Sequence, residues 1–317
     1  MPANLDVAGL SVPAGERHVQ VVQADLGDRQ VDVPIIAVNG AQSGPRVTVT
    51  AGVHGAEYVG IEGARRLGTS LDPAEVQGSV VVVPVMNTTA FFTRSIYTSG
   101  LDNNNINREF PGDPNGEPAQ RLAYWLFQNI IKPSDYFVDM HGGDMIEALV
   151  PFAIYLQTGN ETVDETARQM ADAYGIEIVI RGATPGSAYG AAAQAGIPAI
   201  IAEIGGQGVW DEALVTEHAE GARRVLRHLG VVPGGEPAPT QHRSLTEFPW
   251  LRSNHDGLLH PFVGLGDRVE KGQPVARVTD YFGRELEQHT APETGEVLFL
   301  VTSLAINQGD PILAVGA

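Results

Sequence analysis

Residues with the donor atoms of a metal site stand at the ends of apolar runs. Arg46-Val-Thr-Val-Thr-Ala-Gly-Val53 is β-branched and reads as a strand that runs into Gly52-Val-His54-Gly-Ala-Glu57. A His and a Glu three apart, where a strand turns into a helix, can point at one centre in the crevice beyond the strand's carboxyl end. The glycines beside His54 allow a tight turn and leave room for an ion or a substrate. A third donor, His141, closes a second apolar run in Tyr136-Phe-Val-Asp-Met-His141-Gly-Gly. Two histidines and a glutamate form a common catalytic zinc set that keeps a fourth position for water. Such an ion polarises a carbonyl and brings the pKa of its water toward about 7. An isolated His-x-x-Glu usually binds no metal, and two histidines with one carboxylate also hold non-haem iron for oxygen chemistry. That iron set usually sits on an all-β barrel, whereas strands and helices alternate around these residues.

Water activation needs a proton acceptor that is not itself a ligand. Pro198-Ala-Ile-Ile-Ala-Glu203-Ile-Gly-Gly offers Glu203 at the end of an apolar run, where low-dielectric surroundings raise a carboxyl's pKa. The alternative is a solvated carboxylate at a strand edge. Asp139 lies two residues before His141 and shares its side of a strand, so it either orients that histidine or is an ordinary strand residue. The loop Asn103 to Gly112 contains Asn107-Arg108, an amide beside a guanidinium fork suited to a carboxylate, or else a solvated turn. Arg94 is a second available cation.

The elements that must position these groups alternate along the chain. Strands are expected at His18–Ala24, Val31–Val38, Ser79–Val85, Tyr136–Met140, Phe152–Leu156, Glu177–Ile180 and Ala199–Ala202. Helices are expected at Glu57–Leu71, Gly116–Ile131, Asn160–Tyr174 and Asp211–Leu229. The fold class is therefore α/β, a three-layer domain with a mixed sheet over residues 1–239. Val231-Val-Pro-Gly-Gly-Glu-Pro-Ala-Pro239 cannot continue a helix and reads as a linker. From Thr246 to Ala317 only short strands and turns follow, as in a small all-β, barrel-like module.

Of the nine histidines, His218 shares a helix stripe with Leu214, Ala222 and Val225 and is expected to be structural. His18, His228, His242 and His289 read as surface residues, and His255 and His260 as candidates for the mouth of the site. The balance of 20 basic against 38 acidic residues gives −18, which repels nucleic acid and anionic membranes. No run reaches the length of a membrane span. Met1 to Gly15 has no leader pattern, so a cytoplasmic location is expected. The absence of cysteine excludes thiolate ligands.

Gly-x-His-Gly-x-Glu, Asn-Arg-x-Phe-Pro-Gly, Asp-x-His-Gly and Glu-x-Gly-Gly, in this order, resemble the succinylglutamate desuccinylase/aspartoacylase family, relatives of zinc carboxypeptidases. The resemblance spans nearly the whole chain. It implies one Zn2+ per chain on His54, Glu57 and His141, a general base and proton shuttle at Glu203, and carboxylate binding by Asn107 and Arg108. It also implies a carbonyl-polarising role for Arg94. Asn105 departs from the family's usual acidic residue two places before the Asn-Arg pair, a departure expected to touch substrate details and not the metal site. The implied activity is hydrolysis of an N-acyl amino acid to a free amine and a small carboxylate. A metallocarboxypeptidase acting on peptides is the alternative enzyme, and a non-enzymatic binding protein the alternative class. A small-molecule substrate is the expected partner, with a homo-oligomer left open. The C-terminal module resembles a biotinyl/lipoyl barrel whose hairpin tip, Thr279-Asp-Tyr-Phe-Gly-Arg284, lacks the lysine that carriers modify. A structural or gating role is expected of it.

Overall fold

The computed structural model of the 317-residue chain describes residues 3–235 and 242–317. The 236–239 part of the expected linker and the first two residues of the Met1–Gly15 segment lie outside the described residues.

A mixed sheet of nine strands forms the centre, in the order Arg243–Leu245, Ile178–Arg181, Phe152–Tyr155, Ala199–Glu203, Tyr136–His141, Gln42–Ala51, Gln77–Val83, Gln30–Asn39 and Glu16–Asp25. Three neighbours in the middle, Ala199–Glu203, Tyr136–His141 and Gln42–Ala51, run parallel, so their carboxyl ends open on one side. The register pairs Glu203 with His141 and Ala51 with Met140, which sets the candidate residues of three strands beside one another.

Alternation of side chains explains why these strands read as continuous apolar runs. Val80 and Val82 pack into one core with Ile36, Val38, Val47 and Val49. Val81 and Val83 pack into the other with Ile35, Ala37 and Phe137. A strand buried on both faces needs no polar face. Each fully buried valine adds roughly 1.5 kcal/mol or more by area. Helices Tyr58–Ser70, Glu161–Tyr174 and Glu212–His228 cover the first face through Leu67, Met170, Tyr174 and Val225. Helices Pro118–Leu126 and Ala188–Gln194 cover the second.

The expected helix over Gly116–Ile131 is regular only to Leu126, after a Glu117/Gln120 capping box with Pro118 in the first turn. Phe127–Ile131 widens into a π-helical turn closed by Lys132 N on Phe127 O, and both Ile130 and Ile131 are fully buried there. Helices Thr88–Thr93 and Ala188–Gln194 lie in segments too short and too rich in small or β-branched residues to signal a helix.

Residues 246–317 form two small antiparallel sheets. They are stitched to the α/β unit in both directions. Arg243–Leu245 pairs in parallel with Ile178–Ile180 at the edge of the large sheet. Glu147–Leu149 leaves the α/β unit to pair with Phe299–Val301 of the module. Leu298 contributes to the core between the large sheet and its second helical layer. No helix among the described residues is long and apolar enough to cross a membrane.

Candidate active site

His54 follows the strand Gln42–Ala51, and Glu57 caps the helix Tyr58–Ser70. The turn between them needs both of its glycines. Gly52 has φ +64°, a region L side chains rarely occupy, and a Cβ on Gly55 would stand 2.2 Å from the backbone of Ala90. The result packs His54 and Glu57 against the second strand end. His54 Nδ1 lies 2.7 Å from Glu57 Oε1, and His141 Nδ1 lies 3.0 Å from Glu57 Oε2. One donor atom from each of the three residues falls within 4.8 Å of the others, a group able to hold a metal ion.

The far nitrogens of both rings are also held. His141 Nε2 lies 3.1 Å from Asp139 Oδ2, and Thr50 Oγ1 donates to Asp139 Oδ1 at 2.7 Å, with Asp139 and Thr50 fully buried. His54 Nε2 lies 3.1 Å from Asn105 Oδ1. A histidine fixed this way offers its other nitrogen in one orientation. Burial alone would raise the carboxyl pKa of Glu57, yet the charges of His141 and His54 outweigh it and bring the value down to about 2. Burial works against protonation of His141, but Glu57 and then Asp139 raise its pKa well above the usual imidazole range. Burial likewise opposes protonation of His54, and Glu57 raises its pKa above the ordinary value. These buried carboxylates demand positive charge between them, which is what a divalent ion brings to a two-nitrogen, one-carboxylate donor set.

A cavity of about 290 Å3 opens in front of these residues. Glu203 lines it at the end of the third parallel strand, and burial pushes its carboxyl well above the ordinary value, against the pull of His141. Arg108 and Asn107 line it from the loop. The Asn107 side-chain oxygen accepts from Ala188 N at 2.9 Å, which leaves the amide nitrogen to donate elsewhere.

Sequence reading thus names His54, Glu57, His141, Glu203, Asn107 and Arg108, and the fold brings all six around one cavity. Arg94 is not among the lining residues. It is exposed, in the left-handed conformation that ends the helix Thr88–Thr93. Asn105, expected to bear on substrate, lines the cavity and also lies against His54 of the candidate metal group. His218 is fully buried, and its Nε2 lies 2.8 Å from the backbone oxygen of His141 while Tyr174 Oη contacts its Nδ1. Burial holds its pKa down to about 4, so the ring is neutral and donates to that carbonyl. His289 is buried, not on the surface, because the module's sheet folds it beside Glu287. His255 and His260 do not line the cavity.

Other lining residues carry no motif. Trp250, Arg252, Phe299 and Asp310 come from the module. Glu147 accepts from Tyr97 Oη at 2.9 Å and from Asp144 N at 2.8 Å, and burial raises its pKa to about 7. The only sequence signal for Glu147 is its place six residues after His141, with Asp144 between them.

Comparisons with known proteins place the chain among its relatives. The family description "Succinylglutamate desuccinylase/Aspartoacylase catalytic domain" matches residues 43–229. N-alpha-acetyl-L-2,4-diaminobutyric acid deacetylase of Halomonas elongata is 30% identical over 294 residues, covering 90% of this chain and 85% of the relative. The product-bound ectoine utilization protein EutE (DoeB) from Ruegeria pomeroyi superposes with a TM-score of 0.85 at 25% identity, covering 96% of this chain and 97% of that one. A succinylglutamate desuccinylase/aspartoacylase structure from Rhodobacter sphaeroides gives 0.82 at 29% identity, with 95% of each chain covered. With the strand-end cluster, the matched domain and these relatives in agreement, the chain belongs to the succinylglutamate desuccinylase/aspartoacylase family.

Proposed function

We propose that this chain holds one zinc ion on His54, Glu57 and His141 and hydrolyses the amide bond of an N-acyl amino acid, releasing a free amine and a small carboxylate. The observation that carries the reading is the convergence of three donor atoms within 4.8 Å at the carboxyl ends of adjacent strands. A zinc ion bound there supplies a Lewis acid for the carbonyl and an acidified water. Glu203 removes the proton of the attacking water, and the same proton passes to the amide nitrogen as the C–N bond breaks. A carboxyl held above its ordinary pKa by burial suits that exchange, because it gives the proton back as readily as it takes it. Asn107 and Arg108 hold the substrate carboxylate and set the carbonyl over the centre. Arg94, in solvent beyond the cavity, receives no role here.

The cavity of about 290 Å3, walled by Trp250 and Phe299 of the module, suits a small substrate better than a peptide. Glu147 and Asp310 on its wall suit a substrate with an additional ammonium. N-α-acetyl-L-2,4-diaminobutyrate, the compound in the Halomonas relative's name, therefore heads the test. Zinc-loaded protein assayed against N-acetyl, N-succinyl and N-formyl amino acids should release amine from at least one. Hydrolysis of peptides with no turnover of any N-acyl amino acid would overturn the proposal.

A further inference from the structure

Arg108 does not face the cavity as a lone cation. Arg252, on the short strand Trp250–Arg252 of the module, lines the same cavity from the opposite part of the chain. The two arginines also line the adjoining cavity of about 350 Å3, so they stand where one space passes into the other.

Their hydrogen bonds leave them available. One guanidinium nitrogen of Arg108 donates to Asn107 O at 2.7 Å, and one of Arg252 donates to Gly309 O at 2.9 Å. Each anchor is a backbone carbonyl, which orients the fork without neutralising it. The ion pairs seen among the described residues include neither Arg108 nor Arg252, although acidic residues outnumber basic ones by 38 to 20. Beside burial, the positive charge of Arg252 holds the Arg108 guanidinium below its ordinary pKa, so the two charges act on each other across the cavity. Both residues are exposed at the junction, and two like charges facing one space there favour an anion between them.

We infer that Arg252 is the second arm of a carboxylate clamp with Arg108, and that the C-terminal module supplies this binding residue to the active site. The anion is the carboxylate of the N-acyl amino acid and of the released amino acid. The inference rests on the proposed hydrolase reading for the identity of that ligand. With the carboxylate at the junction, the acyl amide points toward His54, His141 and Glu203. The amino-acid side chain then has the second cavity beside it, whose wall adds Ile180, Arg181 and Phe248.

The test compares wild type, Arg252→Gln and Arg252→Lys, with Arg277→Gln as a charge-matched control on an exposed strand position of the module. The substrate is the N-acyl amino acid that wild type hydrolyses best, alongside its carboxamide. Loss of one charged arm should raise KM for the acid about tenfold to a hundredfold. The value of kcat should stay within about threefold, and the carboxamide should be hydrolysed equally by all variants. Arg252→Lys should recover part of the affinity, since it keeps the charge and loses the fork. Calorimetry of the released amino acid should show the same loss in Arg252→Gln, with zinc content and melting temperature unchanged. An unchanged KM for the acid, or an equal loss on acid and carboxamide, would overturn the clamp. Should wild type hydrolyse no member of the panel, the hydrolase reading falls. Binding of L-2,4-diaminobutyrate against its carboxamide then decides the clamp alone, supported by a loss in Arg252→Gln confined to the acid and overturned by equal binding.

Discussion

Replacing Asp139 by asparagine tests whether the strand that carries His141 was built to hold an ion. Asp139 is fully buried, with one oxygen 3.1 Å from His141 Nε2 and the other accepting from Thr50 Oγ1 at 2.7 Å. Asparagine keeps the shape. Its amide oxygen can still accept from His141 Nε2, while its nitrogen meets a hydroxyl that is able to accept. What is lost is the negative charge that makes the imidazole a stronger donor to a cation. Removing such a partner typically lowers metal affinity about 10- to 100-fold, or roughly 1.4 to 2.7 kcal/mol. Asp139→Asn should fall toward the lower end of that range. Asp139→Ala should fall toward the upper end and also lose stability, because it leaves buried donors on His141 and Thr50 unpaired. Competition against a chromophoric chelator at fixed pH gives the affinity, and circular dichroism melting confirms the fold. An Asp139→Asn protein that melts like wild type and binds zinc within twofold of it would refute the reasoning, since Asp139 would then be only a satisfied strand residue.

Glu203→Gln should retain zinc and lose two or more orders of magnitude in kcat, roughly the scale of a missing general base, and loss of metal would mean the role is misassigned. Glu287 accepts from Ser253 Oγ and from the backbone and side chain of Asn254, and these bonds, against burial, bring its pKa from 4.5 to about 2. The stability it adds is therefore full above about pH 4.5 and is lost as pH falls toward about 2, so Glu287→Gln should melt a few degrees lower at pH 7 and converge with wild type in acid. Parallel melting curves across that range would contradict this. A polypeptide ending at residue 241 loses the edge strand Arg243–Leu245, the core residue Leu298 and the partner of Glu147–Leu149, and should fail to fold, whereas cooperative melting with bound zinc would disprove the dependence.

The large sheet was legible because its strands are buried on both faces and read as apolar runs, and the candidate metal residues because they close two of those runs beside glycines. His54, Glu57 and His141 can be grouped from sequence, since the carboxyl ends of neighbouring parallel strands share one crevice. Short-range chemistry was less legible. Asn105 stands in the same loop as Asn107 and Arg108, and only the fold of that loop turns its side chain back to His54. His218 looked like part of a helical apolar stripe, which it is, but its contact with the His141 carbonyl needs two elements to meet. The position of Arg94, exposed at the left-handed end of the helix Thr88–Thr93, is a feature that helix patterning does not reveal.

Arg252 and Asp310 were invisible for a different reason. They sit in an all-β module whose own sequence suggests a carrier-like barrel, and nothing in their spacing relates them to site residues about 50 to 250 positions earlier. The link is made by the strand Glu147–Leu149. Six residues after His141, this segment leaves the strand-end cluster and becomes an edge of the module's sheet. Backbone pairing there fixes the module against the cavity, with Val150 N donating to Leu298 O and Thr302 N to Ile146 O on either side. The same short strand begins with Glu147, which itself lines the cavity. A displacement of the module would therefore strain the segment that follows His141 and withdraw Arg252 from Arg108 together. The candidate metal group and the cavity in front of it are mechanically one unit, although residues from the two ends of the chain build them.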